Sequence, residues 1–209
     1  MTGLRVFQRL GVLFVLAACG NVPRDFPSVS EVLATMIPQP AAQVITADDL
    51  RRTLTPDVVS QLNTRLILIE IPARQAVAIL SLVNTNQGVE TYLTADGVSI
   101  SLQDGLVVAT RGFGFDLMTA DVSEVAARLR HDMGNAVRIH RYLDGENQII
   151  AQSFRCDLQF HDALSATETC KSSKVSFTNS YTFNESGRIT ESKQWVSPEI
   201  GLLEVQELN

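Results

Sequence analysis

The stretch VSISLQDGLVVATR, residues 98–111, decides the fold because apolar and polar side chains alternate on one side of a turn signal. Val98, Ile100 and Leu102 alternate with serine and glutamine, which places the apolar side chains on one face of an extended strand. An aspartate–glycine pair follows at 104–105, and glycine supplies the positive φ that a two-residue hairpin turn requires. The stretch therefore predicts two antiparallel strands with one buried face and one solvent-exposed face.

Similar runs on both sides extend this pattern across most of the chain. Apolar and β-branched runs broken by turn residues are typical of strands. The further runs are RLILIEI (65–71), AVAILSLVN (76–84), VETYLT (89–94), AVRIHRYL (136–143), QIIAQSFRCDLQF (148–160), KVSFTNSYTF (174–183) and RITESKQWV (188–196). We predict a mainly β fold with flanking helices, built as a curved antiparallel sheet or an open β-barrel.

Helix signals flank the predicted strands. Thr46 with Asp49 three residues later is a capping-box pattern, and Pro56 suits the first turn of a second short helix. Asp121 precedes VSEVAARLRHDM and predicts the N-cap of a helix that reaches about His131. The helices are thus expected before the first strand and in the middle of the chain.

The N-terminus carries an export signal. Arg5 and Arg9 precede a short apolar run that ends in the Leu-Ala-Ala-Cys motif of residues 16–19, which resembles a bacterial lipobox. The apolar run is about half of the ~20 residues that a membrane-spanning helix needs. We predict that residues 1–18 are a signal peptide and that Cys19 is lipidated, since acyl chains at about 0.8 kcal/mol per buried CH₂ anchor a protein to a membrane.

The residues after the signal peptide indicate the place and organisation of the mature chain. Gly20, where an aspartate would favour the inner membrane, points to the outer membrane, with the body facing the periplasm. The proline-rich residues 19–45 are expected to form a lipidated tether with a short helix, and residues 46–209 a single strand-rich domain. Loss of the signal peptide makes the formal net charge two units more negative than −6. Without a basic run, the chain is not expected to bind nucleic acid.

Two cysteines remain besides Cys19. Cys156 and Cys170 are an even pair in an exported chain, and the periplasm is oxidising, so we predict a disulfide between them. His161 lies between them, but the spacing lacks the paired CxxC or HxxxH pattern of zinc sites. No metal is therefore expected.

Three blocks of sequence resemble the YjbF family of outer-membrane lipoproteins, which is associated with exopolysaccharide and group 4 capsule production. They are TYLTADGVSISLQDGLVVATRGFGFDLMTAD (91–121), the segment from Cys156 to Cys170, and SYTFNESGRITESKQWVSPEIGLLEVQEL (180–208). Tyr92 stands where tryptophan is the commoner residue of the family. The resemblance implies a curved, mostly antiparallel sheet or open barrel with helices at its ends. It also implies a non-enzymatic accessory role in polysaccharide export and no catalytic residue.

The run RGFGFD, residues 111–116, is the main candidate for ligand contact. Its two glycines let the chain leave a strand tightly, and no GK[ST] follows that would make it a phosphate loop. An aromatic ring beside an arginine and an aspartate suits a sugar ring with an acidic substituent. The candidate glycan-binding residues are Arg111, Phe113, Asp116, Tyr92 and Trp195. An ion pair between Arg111 and Asp116 is the structural alternative.

Catalytic patterns are missing from the sequence. A glycosidase needs two carboxylates around its sugar, but Asp96 and Asp104 are explained as turn residues and Asp121 as a helix cap. The chain contains no G-x-S-x-G or HExxH motif. We expect no enzyme and no cofactor, with the outer membrane and either polysaccharide or export machinery as partners. A lipid or lipoprotein carrier with an apolar cavity stays open as an alternative, and a glycan-modifying hydrolase is the weaker one.

Overall fold

The described part of the chain folds into a single sheet of twelve strands with short helices at its margins. The computed structural model describes residues 45–131 and 134–208. The predicted signal peptide, Cys19 and the tether up to residue 44 lie outside the described residues. The strands are β1 (Leu66–Ile71), β2 (Ala76–Asn86), β3 (Val89–Leu93), β4 (Ser99–Gln103), β5 (Leu106–Arg111), β6 (Thr119–Asp121), β7 (Gly134–Leu143), β8 (Ile149–Asp162), β9 (Ser165–Lys171), β10 (Ser176–Phe183), β11 (Ile189–Ser197) and β12 (Gly201–Glu207).

The sheet is antiparallel and nearly closes on itself. Its order is β5-β4-β3-β2-β1-β12-β11-β10-β9-β8-β7-β6, so strands adjacent in sequence pair, and β1 pairs with β12 to join the two halves. The two outer strands, β5 and β6, are neighbours, and the Thr110 N–H of β5 donates over 2.9 Å to the carbonyl of Leu117, which lies two residues before β6. The prediction of a mainly β fold, a curved antiparallel sheet or open barrel, is confirmed.

The hairpin between β4 and β5 is formed by the aspartate–glycine pair that the sequence indicated. Asp104 has φ 51° and Gly105 has φ 81°. Positive φ at both central residues is the geometry of a two-residue type I′ turn, which matches the twist of the flanking strands. Gly105 also allows a close approach, because a Cβ there would lie 2.7 Å from Cβ of Ile189.

The described residues form the helices α1 (Ala47–Thr53), α2 (Pro56–Gln61) and α3 (Ser123–His131), with a 3₁₀ turn at Pro72–Arg74. The predicted capping box of α1 is present, since Thr46 Oγ accepts from the Asp49 N–H at 3.2 Å and Asp49 Oδ2 accepts from the Thr46 N–H at 3.0 Å. Among the described residues, no helix is long and apolar enough to cross a membrane.

The start of α3 corrects one prediction. The first helical hydrogen bond runs from the Ala126 N–H to the Val122 carbonyl, which makes Val122 the N-cap rather than Asp121. Asp121 still supports the turn, because its Oδ1 accepts from the Ser123 N–H at 3.1 Å and from the Ser123 hydroxyl at 2.7 Å. These bonds lower the pKa of Asp121.

Candidate functional site

The loop at residues 111–116 is held by its own polar groups. The Asp116 carboxylate accepts from the Gly112 N–H at 2.9 Å, the Phe113 N–H at 3.2 Å and the Thr110 hydroxyl at 2.9 Å. Each of these bonds ties the carboxylate to the turn between β5 and β6. Asp116 therefore organises the loop.

Arg111 also stabilises this loop, through hydrogen bonds to backbone carbonyls. Its Nη1 donates to the carbonyls of Thr110 at 2.5 Å and Leu117 at 3.1 Å, and its Nη2 donates to the Met118 carbonyl at 3.1 Å. The alternative of an ion pair between Arg111 and Asp116 is wrong, since each side chain binds backbone or hydroxyl groups of the loop. Arg111 links the end of β5 to residues 117–118, which lead into β6.

The five candidate glycan-binding residues are not brought together on a surface. Tyr92 is 1% exposed and Trp195 is 8% exposed, so both belong to the core. Trp195 stacks on Phe177 with ring centroids 4.5 Å apart and an interplanar angle of 11°. Phe113 is also buried, at 8% exposure. The candidates therefore do not form one glycan-binding surface, because strand alternation turns Tyr92 inward and stacking holds Trp195 in the core.

The predicted disulfide is present. Cys156 on β8 and Cys170 on β9 stand directly opposite each other and are joined, with Cα atoms 4.0 Å apart. Among the described residues, these two cysteines and Glu168 form the group whose ligand atoms lie within 4.8 Å of one another. Both sulfurs belong to the disulfide, and a metal would require thiolates, so this cluster does not hold a metal while the bridge is intact.

A buried ion pair beside the disulfide occupies the inside of the barrel. Arg138 donates from Nε to Oε1 of Glu168 at 3.1 Å and from Nη2 to Oε2 at 3.0 Å. The Tyr181 hydroxyl and the Asn179 amide donate to the same Oε2 at 2.5 and 2.7 Å. Burial favours the neutral form of Tyr181, and the Glu168 charge adds to it, so the pKa of Tyr181 is well above its usual value. A lipid carrier would need an apolar, open interior at this position, whereas this interior holds the buried ion pair of Arg138 and Glu168.

His140 lies further along the inner face of β7. Its Nδ1 is 2.9 Å from the Tyr142 hydroxyl, which donates onward to the Val196 carbonyl at 2.6 Å. Since that hydroxyl proton is used, Nδ1 carries the ring proton and Nε2 is left as an acceptor. His140 Nε2 and Gln152 Oε1 are the buried side-chain atoms without a hydrogen-bond partner among the described residues. Burial and the nearby Arg138 charge hold the pKa of His140 well below its usual value.

A concave site opens at one end of the barrel, where three hairpin turns meet. We call it the mouth cavity; it has a volume of about 430 Å³ and lies between the turns of β2–β3, β4–β5 and β10–β11 and the end of α3. Its lining residues are Gly88, Glu90, Leu102, Asp104, Gly105, Leu106, Ala126, Leu129, Arg130, Phe183, Ser186, Gly187, Arg188, Ile189 and Glu207. Apolar side chains form its floor, and charged side chains form its rim.

The rim carboxylates are each paired with an arginine. Arg65 donates to Oε1 of Glu90 at 2.5 Å, and the Tyr92 hydroxyl donates to Oε2 of Glu90 at 2.9 Å. Burial, together with the hydrogen bond to Glu90, raises the pKa of Tyr92.

The other two rim pairs lie on neighbouring turns and strands. Arg188 donates from Nε and Nη2 to Oε1 of Glu207 at 3.0 and 2.5 Å. Arg130 donates to Oδ2 of Asp104 at 3.2 Å. Sequence reasoning missed this site, because Arg188 and Glu207 become neighbours only through the pairing of β11 with β12, and Asp104 was interpreted as a turn residue alone.

The family model described as "Group 4 capsule polysaccharide lipoprotein gfcB, YjbF" matches residues 39–208. The chain belongs to the YjbF family. The resemblance seen in the sequence is thereby confirmed, and the description associates the family with lipoproteins of capsule polysaccharide.

The fold of this YjbF-family chain is also found in a solved structure. It is the crystal structure of the hypothetical lipoprotein YmcC from Escherichia coli (K12), which is 14% identical and has a TM-score of 0.61. The likeness covers 82% of this chain and 97% of that one. Among curated protein sequences, no relative matches the chain. The structural likeness supports the fold and the family match supports the association with capsule polysaccharide.

Proposed function

We propose that this chain is a lipid-anchored accessory protein of the outer membrane that assists the export or assembly of an exopolysaccharide or capsule without catalysing a reaction. The observation that carries the proposal is the match of residues 39–208 to the capsule polysaccharide lipoproteins of the YjbF family. The lipobox that ends at Cys19 fits this family description.

Sequence and structure together support an exported location. The Cys156–Cys170 disulfide is typical of an oxidising compartment such as the periplasm. Lipid on Cys19 would attach the chain to a membrane, and Gly20 indicates the outer one, with the barrel facing the periplasm. The tether of residues 19–45 would separate the barrel from the membrane surface.

The environment of the carboxylates supports a non-catalytic role. A glycoside hydrolase needs one carboxyl that holds a proton for the leaving group and a second that attacks or activates water. In the mouth cavity, Glu90, Asp104 and Glu207 are each held in an ion pair with an arginine. The three bonds that Asp116 accepts tie it to its own loop. These carboxylates have structural partners in place of a catalytic arrangement.

Variants of the lipidation motif test the proposal. In a strain lacking the gene, wild-type protein should restore secreted polysaccharide and incorporate a radioactive fatty acid. Cys19→Ala should stay unlabelled, leave the membrane fraction and fail to restore secretion. The matched variant Gly20→Asp should be labelled but remain in the inner-membrane fraction, and it should also fail.

Two results would contradict this account. Fatty-acid labelling of Cys19→Ala would show that Cys19 is not the lipidated residue. Full secretion with Gly20→Asp retained in the inner membrane would show that the outer membrane is not where the protein works.

A further inference from the structure

We infer that the mouth cavity binds a neutral, hydroxyl-rich sugar unit of the exported polymer. This inference rests on the function proposed above and names the ligand class and the site. It is independent of the loop at residues 111–116, whose polar groups are occupied by the loop itself.

The charges around the cavity balance. Three lining carboxylates, those of Glu90, Asp104 and Glu207, form ion pairs with Arg65, Arg130 and Arg188, respectively. Arg130 and Arg188 also line the cavity, whereas Arg65 lies outside the lining and neutralises Glu90 from there. Equal numbers of opposite charges give no net attraction for an anion or a cation. A sugar hydroxyl both donates and accepts, so it can hydrogen-bond to a carboxylate and a guanidinium at once. The rim therefore matches neutral polyols better than charged ligands.

The rim groups are also held in position before any ligand arrives. Both oxygens of Glu90 are engaged, one by Arg65 and one by the buried Tyr92, and the Glu90 side chain remains 25% exposed. Glu207 is 19% exposed and receives two nitrogens of Arg188 on one oxygen, and no bond to its Oε2 is seen among the described residues. Fixed polar groups with free hydrogen-bonding capacity lose little conformational entropy when a ligand binds.

Fold stability alone explains this arrangement poorly. Exposed ion pairs contribute about 0–1 kcal/mol each, because solvent screens them. Two complete pairs, Asp104–Arg130 and Glu207–Arg188, and the Glu90 carboxylate of the third nevertheless line one concavity, although their residues come from segments that are distant in sequence. Convergence of polar groups on an apolar-floored cavity is the usual character of a ligand site.

The floor provides the apolar contact that sugar recognition requires. Leu106, Ile189 and Phe183 are buried residues that line the cavity, and Phe183 is the aromatic one among them, a side-chain type that packs on the C–H face of a sugar. The volume of about 430 Å³ lies in the range of roughly 300–1,000 Å³ that is typical of small-molecule sites. The cavity therefore has room for one sugar unit with its hydroxyls directed to the rim.

Saturation-transfer NMR on the full chain, purified from membranes in nanodiscs, tests this inference. The neutral probes are the methyl glycosides of glucose, galactose and mannose, and the anionic probe is glucuronic acid at the same ionic strength. At least one neutral probe should show saturable transfer and bind at least tenfold more tightly than glucuronic acid. Arg188→Met and Glu207→Gln should each weaken binding at least tenfold, whereas Arg155→Met, on the exposed outer face of β8, should bind like wild type.

The outcomes separate the site from the function. No saturable transfer from any neutral probe, tighter binding of glucuronic acid, or wild-type binding by Arg188→Met and Glu207→Gln would overturn the inference. If wild-type protein still restores secretion in that case, the proposed function stands without this site. Neutral-sugar binding at the mouth in a protein whose deletion leaves secretion unchanged would instead support the site and contradict the function.

Discussion

His140 couples the stability of the barrel to pH, because its buried ring has an unpartnered nitrogen that would have to accept a proton in a low-dielectric interior. Its pKa is well below the usual value in the folded chain, and burial is the main cause. Unfolded histidine titrates near about pH 6.5. Below that pH the unfolded state binds the proton first, so stability should be intact above about pH 6.5 and fall as the pH drops, by up to about 1.4 kcal/mol per pH unit for one proton.

Urea unfolding at pH 7.5 and pH 5.5 measures this effect. His140→Gln should have a shallower dependence of the unfolding free energy on pH than wild type, by about one proton. His161→Gln is the matched control, since His161 is exposed and bonds to the Thr167 hydroxyl at 3.0 Å. An unchanged slope in His140→Gln would mean that another group carries the pH dependence.

Arg138 and Glu168 are expected to be more costly to separate than any pair at the surface. Their side chains are 1% and 0% exposed, so Arg138→Met would leave an uncompensated buried carboxylate. Breaking one side of such a pair costs roughly 3–5 kcal/mol. Arg188→Met, at an arginine that is 45% exposed, should cost about 1 kcal/mol or less. Equal losses for the two variants in urea unfolding would show that the interior pair is not held as described.

The loop between β5 and β6 owes its shape to two glycines that differ in their surroundings. Gly112 has φ +90°, and a Cβ there would lie 3.2 Å from Cγ2 of Val98, whereas Gly114 has φ +101° and 4.0 Å to the Arg74 side chain. Alanine is strained at positive φ, so both alanine variants should lose roughly 1 kcal/mol. Gly112→Ala should lose more, because it also crowds Val98. Melting curves in which Gly114→Ala is the less stable variant would contradict this account of the loop.

The β8–β9 pair depends on its disulfide. The bridge joins cysteines 14 residues apart, and removal of a loop of that size costs about 3 kcal/mol in the chain-entropy estimate. The double variant Cys156→Ala/Cys170→Ala should therefore lose about that much unfolding free energy. In the native exported protein, thiol reagents should not label either cysteine until a reductant is added. Labelling without reductant would show that the bridge is not closed in the cell.

Strand prediction from sequence succeeded for the longer apolar and β-branched runs and missed the strands β6, β9 and β12. The alternation at residues 98–111 and the aspartate–glycine turn predicted β4, β5 and their hairpin. Strand β9 was not predicted, because its inward positions are Ala166, Glu168 and Cys170, and a buried glutamate looks like a surface residue until Arg138 is placed against it. Arg138, the partner of Glu168, lies 30 residues away in sequence, beyond any local pattern.

At the scale of the whole molecule, local sequence patterns predict neither the closure of the barrel nor the position of the site. Closure requires β1 to pair with β12, at opposite ends of the described chain, and hydrophobic periodicity contains no information about that pairing. The rim of the mouth cavity is assembled from the same distant segments. The candidate glycan-binding residues were instead chosen by chemical type, and alternation could have indicated that Tyr92 faces inward with Ile100 opposite it.

The central claim is that the protein helps a polymer leave the cell without changing its chemistry. The most direct measurement compares the secreted polysaccharide of the wild-type strain and of a strain lacking the gene, by amount, linkage composition and chain length. The account predicts a smaller amount in the deletion strain, with the same linkages and the same substituents, and recovery with wild-type protein. Polymer secreted in normal amount, or polymer whose linkages or substituents differ between the strains, would contradict a non-catalytic role in export.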